Sequence, residues 1–112
     1  MDIECSYGAF TGAVSDFQRF RVRIAMAFEK TYDIDYFKPE GNPGLTAFLS
    51  LRDLDSGIDA ETCAQIALEM EALLPKLDEM EIGLEPESVG ETARRFIAGC
   101  RAAAKAGEPM QF

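Results

Sequence analysis

Residues 60–77 read Ala60-Glu61-Thr62-Cys63-Ala64-Gln65-Ile66-Ala67-Leu68-Glu69-Met70-Glu71-Ala72-Leu73-Leu74-Pro75-Lys76-Leu77, and this stretch decides the fold. At 100° per residue, Cys63, Ile66, Ala67, Met70, Leu73, Leu74 and Leu77 share an arc of about 120°. That is the stripe of a helix with one side on a core. Asp59 stands at the N-cap position, with Glu61 near the positive end of the helix dipole. Pro75 distorts or ends the last turn, because it lacks an N–H and its ring crowds the preceding carbonyl. The opposite side is unusual. Ala64, Leu68, Ala72 and Pro75 cluster within about 80°, where a surface helix of a small monomer should be polar. Leu68 therefore has three expected fates: a lone exposed leucine, cover by the chain's own Tyr36 and Phe37, or contact with a partner or with a second copy in a homodimer.

The neighbouring segments continue the pattern in both directions. Ser88 and Glu91 have capping-box spacing, so a final helix starts there and runs to about Ala106, with Gly107 as its C-cap. Its core stripe is Val89, Ala93, Phe96, Ile97, Cys100, Ala103 and Ala104. Upstream, Asn42-Pro43 reads as an N-cap followed by proline at the first helical position. A short helix through Leu45, Phe48 and Leu49 should end near Arg52. Ser15 and Gln18 have capping-box spacing for a helix from about Asp16 to Lys30, which gathers Phe17, Phe20, Ile24, Ala27 and Phe28 on one face. Arg19, Arg21 and Arg23 alternate with Phe20, Val22 and Ile24 at strand period, but the cap and the Ala and Met content favour helix. Thr31 to Gly41 is an aromatic, acidic connector.

At the ends, Ile3-Glu4-Cys5-Ser6-Tyr7 alternates like a short strand, and Pro109-Met110-Gln111-Phe112 is apolar at alternate positions. The small-residue run Gly8–Ala13 reads as a turn. The expected fold is mostly α. About four helices surround a single core in one domain, residues 1–112, and the two termini can pair as a two-stranded ribbon.

Composition narrows the function. The chain has 112 residues, 47% hydrophobic and 28% charged, the balance of a soluble globular domain. It contains no histidine, which removes Ser-His and Cys-His catalytic pairs, imidazole bases and His-bearing zinc sites. The three cysteines, Cys5, Cys63 and Cys100, lie far apart without a CxxC spacing, so a zinc ribbon or redox dithiol motif is not indicated. Buried free thiols in a reducing compartment are the expectation. No apolar run spans a membrane, and the acidic Met1-Asp2-Ile3-Glu4 start is unlike a secretion signal, so a cytoplasmic protein is expected.

The net charge of −9 is unevenly spread. Residues 1–52 carry net −1, residues 53–91 carry 12 acids against Lys76 alone, and residues 92–112 carry net +3. Direct binding to nucleic acid or to an anionic membrane is disfavoured. A basic protein surface is the natural match. Arg94, Arg95, Arg101 and Lys105 can neutralise part of the acidity if the last helix packs on the acidic segment. The cluster Arg19, Arg21 and Arg23 is expected to pair with the chain's own acids. No phosphate-cradling glycine loop is present, and no cofactor is expected.

Residues 51–62 resemble an EF-hand calcium loop, with Asp53 and Asp55 at positions three and five, Ile58 at eight and Asp59 at nine. A calcium loop needs six or more oxygens and a closing bidentate acid. Here Leu51 opens the loop, Thr62 closes it, glycine is displaced to position seven, and Glu61 is one residue early. These weak candidates, Asp53, Asp55, Asp59 and Glu61, are expected to form a helix-entry turn and no metal site.

Ser6-Tyr7, Arg19-Phe20-Arg21, the Asp53-x-Asp55 loop leading to Glu61 and Cys63, and the Gly107-Glu108-Pro109 tail give the chain a further likeness. It resembles a group of small, uncharacterised bacterial proteins with a degenerate EF-hand-like loop. The resemblance implies a compact fold and brings no activity. The expected function is a non-catalytic acidic interaction protein that meets a basic protein surface. An inhibitor, an immunity protein or a phage anti-defence protein that mimics nucleic-acid charge would fit. Glu69, Glu71, Asp78, Glu79, Glu81 and Leu68 are the candidate contact residues. A metal-responsive module on the Asp53 loop and a small enzyme of another type are the alternatives.

Overall fold

The computed structural model describes residues 2–31, 41–50, 57–79 and 89–112. Strands β1 (Asp2–Glu4) and β2 (Thr11–Ala13) lead into α1 (Val14–Thr31), followed by α2 (Pro43–Leu49), α3 (Ala60–Glu79) and α4 (Val89–Ala106). The fold is mostly α, with these four helices around one core. The predicted stripes are the buried faces. Phe17, Phe20, Ile24, Ala27 and Phe28 of α1 are buried, as are Cys63, Ile66, Ala67, Met70, Leu73 and Leu77 of α3 and Val89, Ala93, Phe96, Ile97, Cys100 and Ala103 of α4. Where the elements meet, the rings interlock. Phe17 stands edge-on to Phe10 at 5.0 Å and to Phe48 at 6.1 Å, and Phe48 lies 5.1 Å from Phe96. Such tilted and edge-to-face pairs add attraction beyond area burial.

The ribbon is made differently from the expectation. β1 pairs antiparallel with β2, with Asp2 opposite Ala13, Ile3 opposite Gly12 and Glu4 opposite Thr11. Both strands are therefore N-terminal. Between them a 3₁₀ turn at Ser6–Gly8 puts Tyr7 at φ 59° and Gly8 at φ 67°, reversing the chain where a strand through Tyr7 was expected. The C-terminal tail meets this turn without joining the sheet: Ser6 N–H donates to the Gln111 carbonyl at 2.9 Å, and Tyr7 Oη to Glu108 at 2.7 Å. That last bond raises the Tyr7 pKa. The tail's ladder partner is Ile58, whose N–H and C=O both bond to Met110.

Some helix ends follow local chemistry and others depart from it. Gly107, at φ 70°, closes α4 in a Schellman motif: its N–H donates to Ala104 O at 3.1 Å and that of Glu108 to Ala103 O at 3.0 Å. Asp59 Oδ1 accepts the Thr62 N–H at 2.7 Å and caps α3 as its position predicts. By contrast, β2 runs straight into α1, so that helix begins at Val14, ahead of the predicted Ser15 cap. Gln18 Oε1 instead accepts from Arg21 Nη1 at 2.8 Å. Helix α3 continues through Pro75 to Glu79, beyond its expected end at Leu77. The predicted Ser88 cap and the Tyr36–Phe37 cover fall outside the described residues. Among the described residues, no helix is long and apolar enough to cross a membrane.

Candidate interaction surface

The acids of α3 take different roles once the helix is placed. Glu69 is buried, at 5% exposure, and therefore is not a surface contact residue. Its carboxylate reaches α2, where Oε2 accepts the Gly44 N–H at 3.0 Å and Oε1 the Leu45 N–H at 2.9 Å. These N–H groups lack partners within their own helix, and a carboxylate there also meets the positive end of the helix dipole. Asn42, the predicted cap, contributes its carbonyl to Thr46, while its own side chain does not supply the cap. Gly44 makes the approach possible. A Cβ at that position would sit 2.6 Å from Ile66 N and 2.7 Å from Gln65 C.

Two further acids pair across the α3–α4 seam, as the positive charge of the last segment predicts. Arg94 grips Asp78 with two bonds, 3.1 and 2.8 Å, and its guanidinium holds the Asp78 carboxyl below the usual range. Arg101 pairs with Glu71. Glu79 lies 3.5 Å from Lys76 on its own helix. Glu61 is exposed. Glu81 lies outside the described residues.

Beyond this acidic edge, α3 shows solvent an apolar strip. Leu68 is 61% exposed, and Ala64, Ala72 and Pro75 are exposed beside it. Glu61 and Glu79 lie near the two ends of the strip in the same angular sector, while Glu71 and Asp78 border it toward α4. From Glu61 to Glu79 the face is about 27 Å long at 1.5 Å per residue. A shallow cleft beside it, between α2 and α3, is lined by Pro43, Gly44, Ala47, Glu61, Thr62 and Gln65.

The arginines of α1 are largely engaged by the protein itself. Arg19 pairs with Asp16 at 3.6 Å, and Arg21 reaches α2. It donates to the Leu49 carbonyl at 3.1 Å and lies over the Phe48 ring at 5.9 Å, and burial lowers its pKa. Of the weak metal candidates, Asp59 is engaged by Thr62, whose backbone and hydroxyl hydrogen bonds lower its pKa. Asp53 and Asp55 lie outside the described residues. Among the described residues there is no group of three or more side chains placed to hold a metal ion.

No protein-family model, curated protein or solved structure matches this chain.

Proposed function

We propose that this protein is a cytoplasmic, non-catalytic interaction protein that sets the outer face of α3 against a basic protein surface. It would act in the manner of a small inhibitor, immunity protein or phage anti-defence protein. The observation that carries the proposal is Leu68, 61% exposed at the middle of an apolar strip bordered by carboxylates. A single exposed leucine is ordinary. Its neighbours make this one different: Ala64 and Ala72 are small enough to let a partner approach closely, and Pro75 extends the apolar surface. The net charge of −9 favours a cationic partner and disfavours a second copy.

The same geometry narrows the electrostatic part of the reading. Glu69 is consumed by the α2 cap, and Glu71 and Asp78 have arginine partners, so among the described residues the acidity on this face rests chiefly on Glu61 and the Lys76-paired Glu79. The test is a pull-down from the native host with wild type and Leu68→Asp in parallel, read by mass spectrometry. The expected result is a basic protein that the variant loses. Its association rate with wild type should fall steeply with added salt, because screening shortens to roughly 8 Å at physiological ionic strength. A partner retained by Leu68→Asp, or one whose on-rate is flat with salt, would overturn the proposal.

A further inference from the structure

The cleft between α2 and α3 has two unlike walls. Pro43 and Ala47, one turn apart on α2, form an apolar side, and Glu61, Thr62 and Gln65 of α3 form a polar one. Its volume is about 220 Å³, below the roughly 300–1,000 Å³ of sites that enclose a free small molecule. A single side chain is the better match in size. At 100° per residue, Glu61 lies about 20° and Gln65 about 60° from Leu68, so the cleft is the α2 edge of the apolar strip.

The charge of the cleft is one-sided. No lysine or arginine lines it, and among the described residues the Glu61 carboxylate has neither an ion pair nor a hydrogen bond. The start of α2 borders the same space, yet its first backbone groups offer an anion nothing. Pro43 has no N–H, those of Gly44 and Leu45 go to Glu69, and that of Thr46 goes to the Asn42 carbonyl. Glu69 thereby places a second carboxylate behind Gly44. Negative charge beside an apolar wall suits a cationic head on an apolar stem.

We infer that the α2–α3 cleft is a socket for one arginine side chain of the protein that covers Leu68. The inference rests on the reading of the outer face of α3 as a contact surface, and it gives that surface's partner an anchor. The arginine stem lies along Pro43 and Ala47, and its guanidinium donates to the Glu61 carboxylate and to the side-chain oxygen of Gln65. Arginine suits the place better than lysine, because its planar fork can meet both acceptors at once and it is less strongly hydrated. Arginine is also among the residues that anchor protein interfaces.

The test titrates the isotope-labelled full chain with arginine capped as its N-acetyl methylamide, followed by the NMR shifts of the backbone amides. The expected result is saturable binding in the millimolar range that moves Gly44, Ala47, Thr62 and Gln65 together. Capped citrulline has the same shape without the charge and should bind at least about threefold more weakly. Glu61→Gln should lose a similar factor for capped arginine, while Leu68→Asp should keep the socket. The two readings therefore fail separately: a partner lost by Leu68→Asp with no arginine in the cleft keeps the contact surface and removes the socket. Absence of saturable shifts, shifts centred on other acids, equal binding of citrulline, or full binding by Glu61→Gln would overturn the inference. The citrulline comparison on wild type decides it even if Glu61→Gln fails to fold.

Discussion

Glu69 accepts the backbone N–H of Gly44 at 3.0 Å, so an acid of α3 serves as the N-terminal cap of α2. Its second oxygen takes the Leu45 N–H, and the carboxylate is withdrawn from solvent. Removing it leaves two buried donors exposed to no acceptor, the costly way to break a hydrogen bond. Glu69→Ala should therefore destabilise the protein by about 2–4 kcal/mol in urea unfolding. Glu69→Gln keeps one acceptor and should lose less. Glu69→Lys, which would be benign on a surface, should be the worst of the three. A loss below about 0.5 kcal/mol for Glu69→Lys would show the cap to be unimportant.

The closeness of α2 and α3 gives a second expectation. At Gly44 a methyl group would meet the backbone of Gln65 and Ile66, which cannot rotate aside. Gly44→Ala should cost about 1–3 kcal/mol, as overpacking does, and should weaken the Glu69 cap by pushing α2 outward. Gly41→Ala is the control, since a Cβ there meets nothing within 4 Å. Equal stabilities for the two variants, measured by urea midpoint, would show that the helices have room to part.

How far these relationships are legible in the sequence depends on their range. The stripes of α1, α3 and α4 repeat at helical period, and every residue from Phe17 to Phe28 and from Cys63 to Leu77 named for the core is buried or, at Leu74, partly buried against it. The Asp78–Arg94 and Glu71–Arg101 pairs follow from opposite charge on two helices that must pack. Glu69 is different. Its partners lie 24 and 25 residues away, and in an acidic run it looks like one more surface carboxylate. One signal was present: Gly44 follows Asn42-Pro43 at a helix start, where a small residue permits close approach and an uncapped N–H needs an acceptor. Of the N-terminal hairpin only the first strand was legible, from the alternation that starts at Ile3; its partner Thr11–Ala13 is three residues long, too short to alternate, and lies in a small-residue run that reads as a turn.

Acid should titrate away both an ion pair and a helix cap. Asp78 and Asp59 both have pKa values lowered from 3.8, by Arg94 and by the Thr62 hydrogen bonds respectively. A depressed folded-state pKa means that the stabilisation is fully present above the unfolded value, and is lost as pH falls through the folded one. Wild type should therefore exceed Asp78→Asn and Asp59→Asn in Tm near neutral pH, and the gap should begin to close below about pH 4. Added salt should shrink the exposed Asp78 difference as well. A gap that stays constant from neutral pH down to about pH 2 would mean that these carboxylates do not act through their charge.

The last expectation concerns Leu68, whose side chain contrasts with that of Leu73 little more than a turn away. Leu73 is fully buried, whereas Leu68 is 61% exposed on the outer face. A charge at Leu73 would enter the core without a partner, so Leu73→Asp should unfold the protein or cost more than about 3 kcal/mol. Leu68→Asp adds a charge where water already reaches and loses only some helix propensity, so its cost should stay below about 1 kcal/mol. Urea unfolding gives both values, and light scattering gives the molecular mass on the same samples. A monomeric wild type, unchanged in mass and fold by Leu68→Asp, makes the loss of a heterologous partner attributable to the contact itself. A wild-type dimer that the substitution splits would place a second copy on this face, and the acidic ends at Glu61 and Glu79 would then have to be tolerated across it. A stability loss near 3 kcal/mol would instead mean that the chain covers Leu68 itself, and the surface would no longer be available to a partner.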